Sequence, residues 1–308
     1  MRDEGAKVLE AITEAVTVGK EAGLRVELSH FKIDNKKLWG DSAKSLALVE
    51  KFRREGVDVV IDQYPYDRSS TNLGITLPSW AFAEGKVKER LADPAMRARI
   101  GTQMEEINRE LGFGDYGYAT VAAFAPDRSY EGKSISEINV LKGRSKNTKA
   151  EIETILDMID AGGAQMVYGS MGAEDVERIM RYPNTAIASD GGVREFGVGM
   201  PHPRSYGTNA RVLAEYVRNK GVLTLEDAVR RMTSLPARTF GFDDRGLLRP
   251  GFAADVVLFD PEKVQDKATF QNPHQYTTGF DLVLVNGVPV VENGAVTGAR
   301  PGRALRRR

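Results

Sequence analysis

Apolar residues in the first part of the chain recur at helical spacing and alternate with short apolar runs. The apolar positions between Glu4 and Glu21 fall three and four residues apart, and Gly23 follows as a stop signal. The next run, Arg25–Ser29, predicts a strand. A second helix is expected from about Ser42 to Arg54, before a second strand, Val57–Asp62, that is apolar at four of its first five positions. This alternation predicts a parallel sheet covered by helices.

The middle of the chain interrupts that alternation. Residues 72 to about 150 contain Pro78 and Pro94, a charged helical stretch and the Gly/Tyr-rich run GFGDYGYATV, which together predict an insertion or lid. The alternation is then expected to resume with strands at Ala164–Tyr168 and Thr185–Ser189, each following a helical pattern. The second of these strands closes on Asp190.

Short strands separated by turn residues replace the helical pattern after Gly241. The dipeptides Asn286-Gly287 and Asn293-Gly294 are typical of two-residue hairpin turns. We therefore predict an α/β protein with a catalytic domain over residues 1–242, carrying the insertion at about 72–150, and a small β module over residues 243–308.

Composition excludes several function classes. The 43 basic and 43 acidic residues cancel, so no overall field favours nucleic acid or an anionic membrane as a partner. No apolar run approaches the roughly 20 residues that cross a bilayer, and the first residues lack the apolar core of a signal peptide. We expect a cytoplasmic protein. Because the chain has no cysteine, a metal could use only histidine, aspartate or glutamate.

Two candidate catalytic residues each follow a predicted strand. His30 comes directly after the first strand, and Asp190 comes after the strand over 185–189. In a (β/α) barrel the carboxyl ends of the strands form the catalytic face, where these side chains could converge as a zinc ligand and a proton-transfer group. The alternative is a hydrogen-bonded interior histidine, with Asp190 capping the turn before Gly191-Gly192.

Polar residues near His30 and after the second strand are candidates for substrate binding. Lys32 lies two residues beyond His30, on the same side of an extended chain, where it could bind a substrate carboxylate or simply be solvated. The run DQYPYDRSST could form a hydrogen-bonding wall or a rigid turn through its side chains Tyr64, Tyr66, Ser69 and Ser70.

The two remaining histidines are less informative. His202 lies between two prolines, where a constrained backbone suits either a site or plain loop packing. His274 is remote from any predicted strand end, and we assign it no role.

A series of motifs resembles one enzyme family. The strings SHFK, DQYPYDRSST, IASDGG, HPRSYGT, MTSLPARTFGFDDRGLLRPGFAADVVLFDP and VNGVPVVENGAVTGARPGR occur in that order. Together they closely resemble the N-acyl-D-amino-acid deacylases (D-aminoacylases) of the amidohydrolase superfamily. The resemblance runs over almost the entire chain and is weakest over residues 72–150.

This resemblance implies a fold, a reaction and site residues. The fold would be a partial TIM-like (β/α) barrel of the metal-dependent amidohydrolase type with an insertion and a C-terminal β-sandwich module. The reaction would be the zinc-dependent hydrolysis of an N-acyl-D-amino acid to a carboxylate and a D-amino acid. His30 resembles a metal ligand, Asp190 the general base and then acid, and Lys32 the residue that binds the substrate's α-carboxylate. Tyr64 and Ser70 resemble further substrate-binding residues.

The chain also departs from the family pattern. A His-x-His pair, a cysteine ligand and a further histidine ligand of the family have no counterpart here. The resemblance therefore implies the C-terminal part of a deacylase, truncated before those residues, with open barrel edges that favour self-association. Two ligands are fewer than the three that a catalytic zinc typically takes from the protein. A non-catalytic remnant or binding module is the alternative function, and a cyclic-amide hydrolase is disfavoured because its substrate needs no free α-carboxylate.

Overall fold

The computed structural model of the chain describes residues 1–306, and within that range the strands form three sheets. The α-helices are α1 (Val8–Ala22), α2 (Ser42–Arg54), α3 (Val87–Ala92), α4 (Pro94–Glu110), α5 (Ile135–Leu141), α6 (Thr148–Asp160), α7 (Ala173–Arg181), α8 (Arg204–Arg211), α9 (Leu225–Met232) and α10 (Ser234–Phe240). The strands are β1 (Val26–Leu28), β2 (Val59–Gln63), β3 (Ser69–Asn72), β4 (Ala119–Ala123), β5 (Gln165–Tyr168), β6 (Thr185–Ile187), β7 (Val256–Phe259), β8 (Phe280–Val285), β9 (Val288–Glu292) and β10 (Ala295–Val296). A π-helical stretch, Val212–Asn219, continues α8. Within residues 1–306, none of the helices combines the length and the apolar character needed to span a bilayer.

The first sheet is parallel, as the alternating pattern predicts. Its strand order is β1-β2-β6, with β2 in the centre. The helix-facing residues of β1 and β2 pack with apolar residues of α1 and α2, including the fully buried Ile12, Val16 and Val49. Gly23 ends α1 in the left-handed conformation, at φ 65°. The helices and strands of this layer can therefore be predicted from local sequence, through helical spacing and strand composition.

The second sheet is antiparallel and contains a strand that the sequence pattern assigned to the parallel alternation. Strand β5 lies between β3 and β4, and Tyr168 pairs with both Ser69 and Ala119. The prediction that Ala164–Tyr168 resumes the parallel alternation is therefore wrong. A central strand that is buried on both faces has the same continuous apolar composition in either kind of sheet, so composition could not decide.

The second sheet has its own core. Helices α4, α5 and α6 supply Ile100, Ile138 and Ile155, all of which are fully buried. Residues from 69 to 168 thus contribute to this sheet and the helices around it.

The C-terminal strands form a four-stranded antiparallel sheet in the order β10-β9-β8-β7. Asn286 and Asn293 each have φ 50°, and a glycine with positive φ follows each of them. Both predicted hairpin turns are thereby confirmed. The predicted module over 243–308 ends with Arg307 and Arg308, which lie outside the described residues.

Candidate functional site

The turn after β1 places His30 beside the end of β2. The carboxylate of Asp62 accepts hydrogen bonds from the backbone N–H of His30 at 2.7 Å and from the hydroxyl of Ser29 at 3.1 Å. His30 adopts φ 43°, a left-handed conformation that costs a non-glycine residue about 1–2 kcal/mol. The two bonds to Asp62 offset that cost. Asp62 had no assigned role in the sequence, although it ends the predicted second strand.

A carboxylate from the segment before α1 joins His30 and Lys32. The Oε1 atom of Glu4 lies 2.7 Å from His30 Nδ1, and its Oε2 atom lies 2.7 Å from Lys32 Nζ. Lys32 Nζ also lies 2.8 Å from His30 Nδ1. Lys32 is only 6% exposed, which rules out the solvated alternative.

The electrostatics of this trio favour an ionised Glu4. Burial by itself would raise the pKa of Glu4, but the hydrogen bond with His30 and the charge of Lys32 together outweigh it and lower the pKa. The contacts of the His30 ring among residues 1–306 all involve Nδ1, so Nε2 is the nitrogen available to a further ligand. Glu4 was missed in the sequence, where its signal is the charged run Arg2-Asp3-Glu4.

Tyr64 connects the two sides of the site. The centre of its ring lies 6.0 Å from Lys32 Nζ and 4.7 Å from the guanidinium carbon of Arg204. Within the described part of the chain, the buried Tyr64 hydroxyl has no hydrogen-bond partner. Burial raises the pKa of Tyr64, so the phenol stays protonated and can donate a hydrogen bond to a bound ligand.

Arg204, the first residue of α8, pairs with Asp190. Its Nη1 lies 2.8 Å from Asp190 Oδ2, and its Nη2 donates to the backbone carbonyl of Ser70 at 3.2 Å. Arg204 is 7% exposed, whereas the Asp190 side chain is 39% exposed. A role for Asp190 in capping the following turn would require a backbone N–H donor to its carboxylate; among residues 1–306 the carboxylate pairs with Arg204 instead, and the Gly191 N–H donates to the hydroxyl of Ser189.

The structure therefore brings the sequence-predicted residues into one series of contacts. The series runs through the side chains of His30, Lys32, Tyr64, Arg204 and Asp190. Ser70 joins it through its backbone carbonyl. The Ser70 hydroxyl donates to the Met166 carbonyl at 2.7 Å, within the antiparallel sheet. Arg204 was missed as a functional residue, and the motif HPRSYGT is the signal that could have identified it.

One further carboxyl group of the parallel sheet, that of Glu27, has a shifted pKa. Glu27 is on β1, next to Asp62 of β2, and burial together with the hydrogen bond that the protonated Glu27 carboxyl donates to the Asp62 carboxylate raises the pKa of Glu27 to about 8. Glu27 therefore retains a proton at neutral pH.

His274, to which the sequence assigned no role, has hydrogen-bond partners at both ring nitrogens. Its ring accepts from the Tyr206 hydroxyl at 2.8 Å and donates to the Gly199 carbonyl at 2.9 Å.

The potential metal ligands among residues 1–306 do not form a complete zinc site. Among residues 1–306, no three His, Asp or Glu side chains are grouped so that they could hold a metal ion. His30 offers one imidazole nitrogen, and Asp190 is paired with Arg204. A catalytic zinc typically has three protein ligands, so these residues by themselves do not fit it.

Comparison with known proteins assigns the chain to a family. The sequence pattern of the Amidohydrolase family matches residues 90–291. The chain belongs to the amidohydrolase family. The chain is 36% identical over 307 residues to N-acyl-D-glutamate deacylase of Alcaligenes xylosoxydans xylosoxydans. That alignment covers 100% of this chain and 53% of the deacylase. The predicted resemblance to the deacylases is confirmed. The amidohydrolase chain spans about half the length of the curated relatives it matches.

Solved structures agree with the family assignment. The crystal structure of D-aminoacylase aligns with a TM-score of 0.76 and 32% identity, over 97% of this amidohydrolase chain and 53% of its own length. N-acyl-D-glutamate deacylase from Bordetella bronchiseptica, solved with zinc and a phosphonate mimic of the tetrahedral intermediate, aligns with a TM-score of 0.72 and 33% identity, over 94% of this chain and 52% of its own. The α/β fold of the chain is therefore that of the amidohydrolases.

Proposed function

We propose that this chain carries the substrate-binding and proton-transfer residues of a zinc-dependent hydrolase that cleaves N-acyl-D-amino acids to a carboxylate and a D-amino acid. The observation that carries the proposal is the contact series from Lys32 through Tyr64 and Arg204 to Asp190. An N-acyl amino acid presents an anionic carboxylate next to the amide that reacts. Buried cations bind the first group, and a carboxylate can transfer protons to and from the second.

Each residue has a distinct role in this proposal. Lys32 binds the α-carboxylate, which competes with Glu4 for the ammonium group. The buried Tyr64 hydroxyl, which lacks a partner among residues 1–306, donates a hydrogen bond to the same substrate. Asp190 takes a proton from the attacking water and later gives it to the leaving nitrogen. Ser70 supports the site through its carbonyl, which holds Arg204.

The proposal extends to the fold and to zinc. We infer that the parallel sheet is part of a TIM-like (β/α) barrel, that the C-terminal sheet belongs to a β-sandwich, and that the division between domains lies near residue 242. His30 would serve as a zinc ligand through Nε2. The remaining ligands would come from polypeptide other than residues 1–306, in accordance with the fraction of the relatives that this chain covers.

A non-catalytic binding module is a second candidate function. It is favoured by one observation, the absence among residues 1–306 of a group of three potential metal ligands. Such a module would use Lys32, Tyr64 and Arg204 to bind an N-acyl-D-amino acid and would release no product.

A combined metal and activity assay tests the proposal. The protein is purified together with the polypeptide that supplies the remaining ligands and is supplied with zinc; its metal content is then measured by mass spectrometry, and release of D-glutamate or D-methionine from the N-acetyl derivatives is followed by chromatography. About one zinc per chain and hydrolysis of the D but not the L derivatives would support the enzyme. Calorimetric binding of N-acetyl-D-glutamate without zinc or hydrolysis would support the binding module. Hydantoin serves as a cyclic-amide control.

A further inference from the structure

His202 is a buried histidine that the proposed reaction does not use. It lies in the loop before α8, is 3% exposed, and contacts the edges of the Tyr66 and Phe270 rings at centroid distances of 5.1 and 5.0 Å. Both of its nitrogens have hydrogen-bond partners. Nε2 lies 2.9 Å from the Arg68 carbonyl, and Nδ1 lies 3.0 Å from the backbone nitrogen of Arg204.

These partners select one tautomer of the ring. A carbonyl oxygen only accepts and a backbone N–H only donates, so the ring hydrogen lies on Nε2 and the lone pair lies on Nδ1. Burial lowers the pKa of His202 to about 3, and the nearby charge of Arg204 acts in the same direction. A second ring proton would also point at the Arg204 N–H. The ring is therefore neutral throughout the physiological pH range.

The ring joins two segments that meet only in the folded protein. Arg68 directly precedes β3, and Arg204 begins α8. A second bond links the same segments, because the Arg204 guanidinium donates to the Ser70 carbonyl at 3.2 Å. Arg204 is thus held at its backbone by His202 and at its side chain by Ser70. Held in this way, its guanidinium lies against Tyr64 with Nη1 2.8 Å from Asp190.

We propose that His202 is a positioning residue: its Nε2–H tautomer ties the backbone of Arg204 to the Arg68 carbonyl and thereby directs the Arg204 guanidinium to Asp190. The hydrogen-bond network stands on geometry alone, and only its effect on turnover rests on the proposed function. The competing interpretation is that the ring merely fills space among aromatic side chains. The two interpretations differ in what a ring without nitrogens would do.

The tautomer is tested on the unmodified protein. Nuclear magnetic resonance of the full chain labelled with ¹⁵N-histidine resolves three rings, and the His202 signals are identified by their loss in His202→Phe or, should that variant not fold, in His202→Asn. The expected result is an Nε2–H tautomer with no titration between pH 5 and pH 8. An Nδ1–H tautomer, or a change of protonation within that range, would overturn the proposal.

The positioning role is tested with two matched variants. His202→Phe keeps an aromatic ring but has no acceptor, whereas His202→Asn places an amide oxygen near the position of Nδ1. Hydrogen exchange of the Arg204 amide is expected to be at least about fivefold faster in His202→Phe, the factor that one lost hydrogen bond predicts, and to recover in His202→Asn. Equal exchange in wild type and His202→Phe, or no recovery in His202→Asn, would show that the ring only fills space.

The effect of His202 on catalysis is measured as the change in kcat, and this measurement depends on the proposed hydrolysis. With N-acetyl-D-glutamate, kcat should fall roughly tenfold in His202→Phe and less in His202→Asn, because a misplaced catalytic group slows the chemical step. Unchanged kcat in His202→Phe would overturn the effect on turnover. If the wild-type protein hydrolyses nothing even with zinc and the polypeptide that supplies the remaining ligands, the proposed function fails, and the tautomer and exchange measurements still decide the role of His202.

Discussion

Glu4 and Lys32 form an ion pair of 2.7 Å in which the lysine is almost completely buried. The pair connects the segment before α1 to the turn after β1, and it holds the ammonium group beside His30. A buried cation of this kind is costly unless it is paired, and its carboxylate partner can be exchanged for that of a ligand.

Lys32→Met should impair recognition of the substrate carboxylate. A charge-assisted hydrogen bond contributes about 1.5–3 kcal/mol, so KM for N-acetyl-D-glutamate should rise by roughly 10- to 100-fold. The matching α-carboxamide, which lacks that charge, should be much less affected. Steady-state kinetics on both compounds measure the difference, and Lys37→Met, at an exposed lysine nearby, is the control. Equal losses on acid and amide would mean that Lys32 acts on structure rather than recognition.

Glu4→Gln should destabilise the protein in a pH-dependent way. The pKa of Glu4 is lowered in the folded state, so its contribution is present above the unfolded pKa of about 4.3 and is lost as the pH falls through the lower folded value. Unfolding in urea should show a loss of roughly 1–3 kcal/mol at pH 7 and a much smaller loss near pH 3. Glu14→Gln removes the exposed pair with Arg2 and should have little effect at either pH. A loss from Glu4→Gln that is the same at both pH values would contradict the ion pair.

Glu27→Gln should stabilise the protein at alkaline pH. The folded pKa of Glu27 is raised to about 8, so the wild type loses stability as the pH rises from the unfolded pKa towards 8. The glutamine variant lacks that penalty. Because part of the Glu27 side chain is exposed to solvent, the expected gain in the free energy of unfolding at pH 8 is limited to about 1–2 kcal/mol. Thermal unfolding of both proteins at pH 8 measures it as a higher melting temperature of the variant. The gain should vanish near pH 4, and a gain independent of pH would indicate improved packing instead.

Asp190→Asn should abolish turnover without unfolding the protein. An amide cannot take up the proton of the attacking water, and general acid–base catalysis is worth about 10²- to 10⁴-fold. The circular dichroism spectrum should be unchanged. Asp67→Asn, at an exposed aspartate after β2, is the matched control. A residual rate above about a tenth of wild type would remove Asp190 from its proposed role, since proton transfer is worth at least about a hundredfold.

The parallel sheet should promote self-association. Within residues 1–306, β1 and β6 are its outer strands, and each pairs with β2 on one side only. Unpaired backbone groups at sheet edges favour pairing with another chain. Analytical ultracentrifugation over a range of concentrations should show species larger than a monomer. A monomer at every concentration would show that these short edges do not associate.

Local sequence determined the parallel layer and the positions of its site residues. Helical spacing identified α1 and α2, and the polar residues after apolar runs identified His30, Tyr64 and Asp190 as residues at strand ends. These signals are short-range, because period and composition reflect which face of one element is buried. Tertiary structure decided which side chains meet. Glu4 reaches Lys32 and Arg204 reaches Asp190 only after α1 and α8 have packed, and β5 joins an antiparallel sheet although its composition also suits a parallel one. Pairing between strands and contacts between distant segments depend on packing across the whole core, which no window of local sequence contains.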